Sequence, residues 1–123
     1  MSYKLFLDDM RNPYDIHWVP KVKNQQGWYI VRNYEQFKEH IILYGLPALV
    51  SFDHDLHDSH YEAMIRESNG EQNVDYGSVK TGYDCVKFLV DYCKRFELEF
   101  PEYHIHTLNN HAFERMNSYI SFS

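Results

Sequence analysis

Two acidic clusters hold the chemistry this sequence could do: Asp8-Asp9 near its start, and Asp53 and Asp55 flanking His54. Carboxylates gathered at one point repel each other, and burial disfavours their charged forms further. A divalent cation relieves both effects. Mg²⁺ suits an all-oxygen set and recruits phosphate oxygens, whereas an imidazole among the acids admits Mn²⁺. The expected metal ligands are therefore Asp8, Asp9, Asp53 and Asp55, with Mg²⁺ or Mn²⁺ as the ion. His54 suits a general acid or base, because imidazole is the side chain best matched to proton transfer near neutrality, although a capping or carboxylate-orienting role is the plainer alternative.

Other residues extend the set. Arg11 follows the first acid pair and could contact a phosphate or simply neutralise Asp9. Thr81 reads first as a helix N-cap, and Gly82 beside it would let an anion approach the helix end. Thr107 offers a hydroxyl and Asn109 an amide to a phosphoryl group. His106 is expected near the same place, with His104 packed elsewhere. His57 and His60 share a three-residue spacing but sit in polar chain, where a solvated loop is the simpler reading.

The elements that must position these groups are legible from periodicity. Tyr3 to Leu7 is a short apolar run ending at Asp8-Asp9, as for a buried strand with acids at its C-terminal end. Residues 14–26 show no period. Trp28 to Val31 is rich in aromatic and β-branched types and predicts a second strand. Asn33 with Gln36 resembles an N-terminal cap, and Tyr34, Phe37, Ile41 and Tyr44 recur at helical spacing before Gly45 and Pro47. Leu49 to Phe52 is a third strand, again ending in acid.

The stretch 57–80 reads as a polar excursion with at most a short helical piece. Thr81 to Asp84 is a capping-box pattern, and Val86, Leu89, Val90, Cys93 and Phe96 follow at helical spacing. A fourth strand is predicted at Tyr103 to Thr107, and Asn109 or Asn110 caps a last short helix through Met116. Strands alternating with helices predict an α/β three-layer sandwich around a mostly parallel sheet, in one domain over residues 1–123. Ligands of such sheets bind beyond the carboxyl ends of the strands, where both acidic clusters fall.

Composition narrows the function. The 123 residues are 44% apolar and 17% aromatic, enough for a core, and the net charge is −6. That acidity argues against a duplex nucleic-acid surface but not against a nucleotide or RNA end held through a metal. No apolar run is long enough to span a membrane, and the start lacks a secretory pattern, so a cytoplasmic location is expected. Cys85 and Cys93 lie about 12 Å apart along one helix, too far to bridge, and read as buried thiols of a reducing compartment. Nothing specifies an oligomeric state.

Taken in order, Leu5-Phe6-Leu7-Asp8-Asp9-Met10-Arg11-Asn12-Pro13, Trp28-Tyr29-Ile30-Val31-Arg32-Asn33, Val50-Ser51-Phe52-Asp53-His54-Asp55-Leu56 and Thr81-Gly82-Tyr83-Asp84 resemble the cyclic-phosphate-processing receiver domains, a branch of the response-regulator receiver fold found in bacteria and phages. The resemblance implies a flavodoxin-like sheet. It also implies that Asp8 and Asp9 match the receiver's Mg²⁺-binding acids, Asp53 its phospho-accepting position, and Thr107 its fourth-strand hydroxyl. The family is proposed to act on cyclic phosphates, including RNA ends in repair or conflict systems.

This chain departs from ordinary receivers in lacking a Lys after Asn110, where a fifth strand would present one, and in having no clear first helix. Those departures disfavour a phosphorylation switch. The resulting expectation is a small metal-dependent phosphoesterase acting on a cyclic nucleotide or an RNA-end 2′,3′-cyclic phosphate. In it, Asp53 is ligand or nucleophile, His54 the proton-transfer group, and 57–80 a lid. The alternative is a non-catalytic receiver-like module that binds a partner or a cyclic nucleotide. An HD-type or DHH-type phosphohydrolase fits less well, the first being all-helical and the second normally two-domain.

Overall fold

A computed structural model of the chain describes residues 2–123. Four parallel strands form one sheet: β1 (Lys4–Leu7), β2 (Trp28–Val31), β3 (Leu49–Phe52) and β4 (Glu102–Ile105), in the spatial order β2-β1-β3-β4. This is the α/β architecture of a receiver domain. The strand order reverses at β1, where the chain first steps outward to β2 and then back past β1 to β3. Right-handed crossovers then require the β1–β2 connection to lie on the opposite face from the later helices.

The two faces are correspondingly unequal. On one, α2 (Tyr34–Tyr44), α4 (Gly82–Arg95) and α5 (Asn110–Ser121) cover Leu5, Leu7, Val50, Phe52 and Ile105 with Phe37, Ile41, Val86, Leu89 and Met116. On the other, a 3-10 turn (Pro13–Asp15) and the four-residue α1 (Pro20–Lys23) lay Ile16 and Val22 over Phe6. The irregular stretch expected at 14–26 is thus a thin third layer. Its elements are too short to show a period.

Local signals explain most boundaries. The Asn33 side chain accepts the Gln36 amide at 2.8 Å, and Gln36 returns a bond to the Arg32 amide, one residue ahead of the cap. At α4 the capping box of Thr81 and Asp84 is present, with the Thr81 amide donating to Asp84 at 2.8 Å.

Three boundaries differ from expectation. The polar 57–80 excursion contains an eleven-residue helix, α3 (Asp58–Ser68), capped by His57. It buries only His60 and Ala63, so it carries almost no apolar stripe to read. The last helix runs beyond Met116 to Ser121, with Asn109 as its cap. Strand β4 ends at Ile105, two residues earlier than expected, because the His106 amide makes the last ladder bond to Phe52 and the chain then turns toward the Asn109 cap.

Candidate metal centre and the adjoining histidine–aspartate pair

The register of the sheet assembles the site. Leu7 lies opposite Val31 on one side and Phe52 on the other, and Phe52 lies opposite Ile105. One residue further along each strand, the row at the carboxyl edge reads Arg32, Asp8, Asp53 and His106. Backbone bonds extend the ladder by that one step, from the amides of Asp8 to Val31, Asp53 to Leu7 and His106 to Phe52. Partners in a parallel register project to the same face, so Asp8, Asp53 and His106 point together toward the thin layer.

They converge at bonding range. Asp8, Asp53 and His106 each offer one ligand atom, all within 4.8 Å of one another, and all three residues are buried. His106 Nε2 stands 3.0 Å from Asp8 Oδ2, and His106 Nδ1 stands 2.6 Å from Ser51 Oγ. A carboxylate can only accept, so Nε2 carries the proton and Nδ1 accepts from the Ser51 hydroxyl. The ring stacks on Phe6 with centroids 4.7 Å apart, and the His106 carbonyl accepts from the Trp18 indole at 2.8 Å. His106 is therefore fixed on every side. It orients Asp8 instead of standing open to a phosphate.

The two acids differ in support. Burial pushes Asp8 up, but the bond from His106 and the amides of Arg11 and Met10 outweigh it and hold the carboxyl below its usual range. Asp53 has weaker support, from the His54 amide and the charge of Arg11. Burial, reinforced by the charge of Asp8, pushes it well above the carboxylate range. Arg11 stands 3.7 Å from Asp8 and lies over the Trp18 ring, half out of the site. A buried carboxylate pair with one member so destabilised in its charged form suits a divalent cation. The two carboxylates supply hard oxygen ligands for Mg²⁺ or Mn²⁺, while His106, with both ring nitrogens engaged, supports Asp8.

The other two expected ligands face elsewhere. Asp9 accepts from Tyr61 of α3 at 3.0 Å, and burial raises its pKa. Asp55 is buried with His54: its Oδ1 lies 2.9 Å from His54 Nδ1 and its Oδ2 3.4 Å from Asn109 Nδ2. His54 follows Asp53 by one residue and so turns to the opposite face of the sheet edge. There it lines a cavity of about 400 Å³ with Thr81, Tyr76 and Arg115. Its ring meets Tyr76 edge-on at 4.9 Å. Thr107 lies on this side too, its hydroxyl accepting from the Asn109 amide at 3.1 Å, while Asn109 also caps α5 and donates to Tyr76.

Two residues given no role from sequence, Arg32 and Tyr61, matter here, and Gly82 serves packing where an anion approach was expected. Arg32 donates to the carbonyls of Asp8 and Arg11 and to Asn12, locking the loop after β1. Tyr61 joins α3 to Asp9 and to the Asp55 carbonyl. Gly82 packs its Cα against the end of β3, where a Cβ would lie 1.7 Å from the Asp53 carbonyl oxygen. Its place directly after Thr81, at the first position of a predicted helix, was the available signal. Arg32 carried a weaker one, as the polar residue immediately after a strand.

Fold and site together define a receiver-type domain whose acidic edge is joined by a histidine directly after its fourth strand. The chain belongs to the family described as the cyclic-phosphate processing receiver domain, whose family model matches residues 3–122. No curated protein and no solved structure gave a match. Among the described residues no helix is long and apolar enough to cross a membrane.

Proposed function

We propose that this receiver domain is a metal-dependent phosphoesterase that opens a cyclic phosphate, on a cyclic nucleotide or at the 2′,3′-cyclic end of an RNA. The observation that carries the reading is the buried Asp8–Asp53 pair, poorly neutralised, on the same sheet edge as a second polar group built on His54 and Asp55. Asp8 and Asp53 would hold Mg²⁺ or Mn²⁺, with His106 setting the Asp8 carboxylate through its Nε2 proton. When bound, the cation supplies positive charge to polarise the phosphate and to favour ionisation of the attacking water.

The chain's own groups supply positioning and proton transfer. Asp55 holds His54 at Nδ1, which leaves Nε2 as the nitrogen that exchanges protons on the cavity side. Hydrolysis adds a water oxygen to phosphorus and breaks one P–O bond to the ribose. His54 delivers a proton to the leaving ribose oxygen or takes one from water. Thr81, Thr107 and Asn109 border that side, and Arg11 borders the acidic side. Helix α3 covers the edge, held by Tyr61 to Asp9 and by Glu67 to Arg115 at 3.0 Å, and acts as a lid whose opening admits the phosphate.

Release of a 2′- or 3′-monophosphate from 2′,3′-cyclic nucleotides with Mg²⁺ or Mn²⁺ tests the proposal. Activity in the wild type that falls at least a hundredfold in Asp53→Ala and Asp8→Ala supports it; no product, or full activity in both variants, defeats it. The enclosure of Asp8 and Asp53, 1% and 4% exposed, favours a second reading, a non-catalytic module that binds a partner or a cyclic nucleotide. Saturable calorimetric uptake without turnover would select it.

A further inference from the structure

On the face away from the thin layer, α2 and α4 leave between them a groove of about 750 Å³. Its charge is unlike that of the rest of the chain. Lys38, Lys80, Lys87 and Arg95, four of the twelve Lys and Arg residues, line it in a protein of net charge −6. Asp84 and Asp91 also line it, but Lys87 pairs with Asp84 at 3.6 Å. Lys38, Lys80 and Arg95 make no ion pair among the described residues.

Aromatic rings alternate with these cations. Lys38 lies over Phe88 and Lys80 over Tyr34, each 5.9 Å from the ring centre, and Arg95 lies 5.8 Å from that of Phe96. Phe96 is 55% exposed at the groove's end. Cations spaced along a groove and interleaved with ring faces are the arrangement that holds a single nucleic-acid strand, through backbone phosphates and stacked bases. The groove also meets the candidate site: Asp84 lines both it and the His54 cavity, and Lys80 adjoins Thr81.

We infer that the α2–α4 groove binds the single-stranded RNA leading to the cyclic phosphate, so that the preferred substrate is an RNA end and not a free cyclic nucleotide. This rests on the proposed reading of the site as one for a terminal cyclic phosphate, and a 2′,3′-cyclic phosphate requires the ribose 2′-hydroxyl. A duplex would find too little positive surface, since the groove offers only three cations outside ion pairs among the described residues.

The test compares three ligands, in Mg²⁺ or Mn²⁺ buffer over a range of salt: a 2′,3′-cyclic mononucleotide, a hexaribonucleotide ending in 2′,3′-cyclic phosphate, and the same hexamer ending in a hydroxyl. The cyclic hexamer is expected to bind at least about tenfold more tightly than the mononucleotide. Its log–log salt slope should be near −2, since each phosphate contact on a single strand contributes about 0.7. In Lys38→Glu/Arg95→Glu the hexamer's advantage should vanish and the slope fall by about 1.4, with mononucleotide binding and melting temperature unchanged.

The neutral pair Lys38→Gln/Arg95→Gln serves if charge reversal disturbs folding, and should lose most of the advantage. Salt-dependent binding of both hexamers without the mononucleotide supports the groove while the cyclic-phosphate reading fails. Equal affinity for mononucleotide and cyclic hexamer, or hexamer binding untouched by the substitutions, overturns the groove and leaves that reading standing. Binding of no ligand overturns both.

Discussion

His106 donates to Asp8 across 3.0 Å from the neighbouring end of β4, and both residues are buried. The bond joins residues 98 positions apart in sequence and fixes the carboxylate on which the site is built. Replacing His106 by Leu removes the partner of both Asp8 and Ser51. The expected loss is about 2–4 kcal/mol of unfolding free energy, read by chemical denaturation.

Gly82→Ala is a sharper packing test. The new methyl would meet the Asp53 carbonyl at 1.7 Å, and backbone occupies both sides of the contact. The Gly82 amide also donates to the His54 carbonyl at 2.8 Å, so α4 cannot retreat without losing its tie to β3. We expect a loss of about 3 kcal/mol or more, together with weakened cation binding because Asp53 is displaced. Unchanged stability would contradict the close contact between α4 and the end of β3.

Arg32 predicts a local effect. Its three bonds hold the loop that carries Asp8 and Arg11. Arg32→Ala should cost about 2 kcal/mol and speed hydrogen exchange selectively over residues 8–12. Lys at this position restores charge but not the planar fork, so rescue should be partial.

Acid should weaken the fold through His60. Its Nδ1 accepts the Leu56 amide at 2.8 Å and its Nε2 lies 2.9 Å from the Val79 carbonyl, so the neutral ring satisfies both. Burial lowers its pKa from the ordinary value of 6.5. A depressed histidine contributes its full stability above about pH 6.5, and that contribution is lost as pH falls through the folded value. Unfolding free energy measured from pH 7.5 to 5 should drop in the wild type and drop less in His60→Gln. Parallel curves would exclude His60 as a source of the loss.

Much of this arrangement was readable because strand ends leave a compositional mark. Leu7-Asp8 and Phe52-Asp53 are abrupt apolar-to-acid steps, and the parallel register then places those acids side by side. The fourth strand has no such step. Glu102-Tyr103-His104-Ile105 mixes polar and apolar types, so its end was set two residues late and Thr107 seemed level with the acids where His106 is.

The partition of the acids was also hidden. Adjacent residues in extended chain face opposite ways, which separates Asp53 from His54 and Asp8 from Asp9. Which partner each then meets depends on Tyr61 and Asn109, residues distant in sequence. Helix α3 escaped notice because it buries so little that its pattern is nearly all polar.

The central claim is that Asp8 and Asp53, steadied by His106, hold a divalent cation. Calorimetric titration of the metal-free protein with Mn²⁺ tests it directly. We predict a single saturable site in the wild type that is lost in Asp8→Asn and Asp53→Asn while both variants remain folded. No saturable heat in the wild type, or a site retained in Asp53→Asn, would contradict the account.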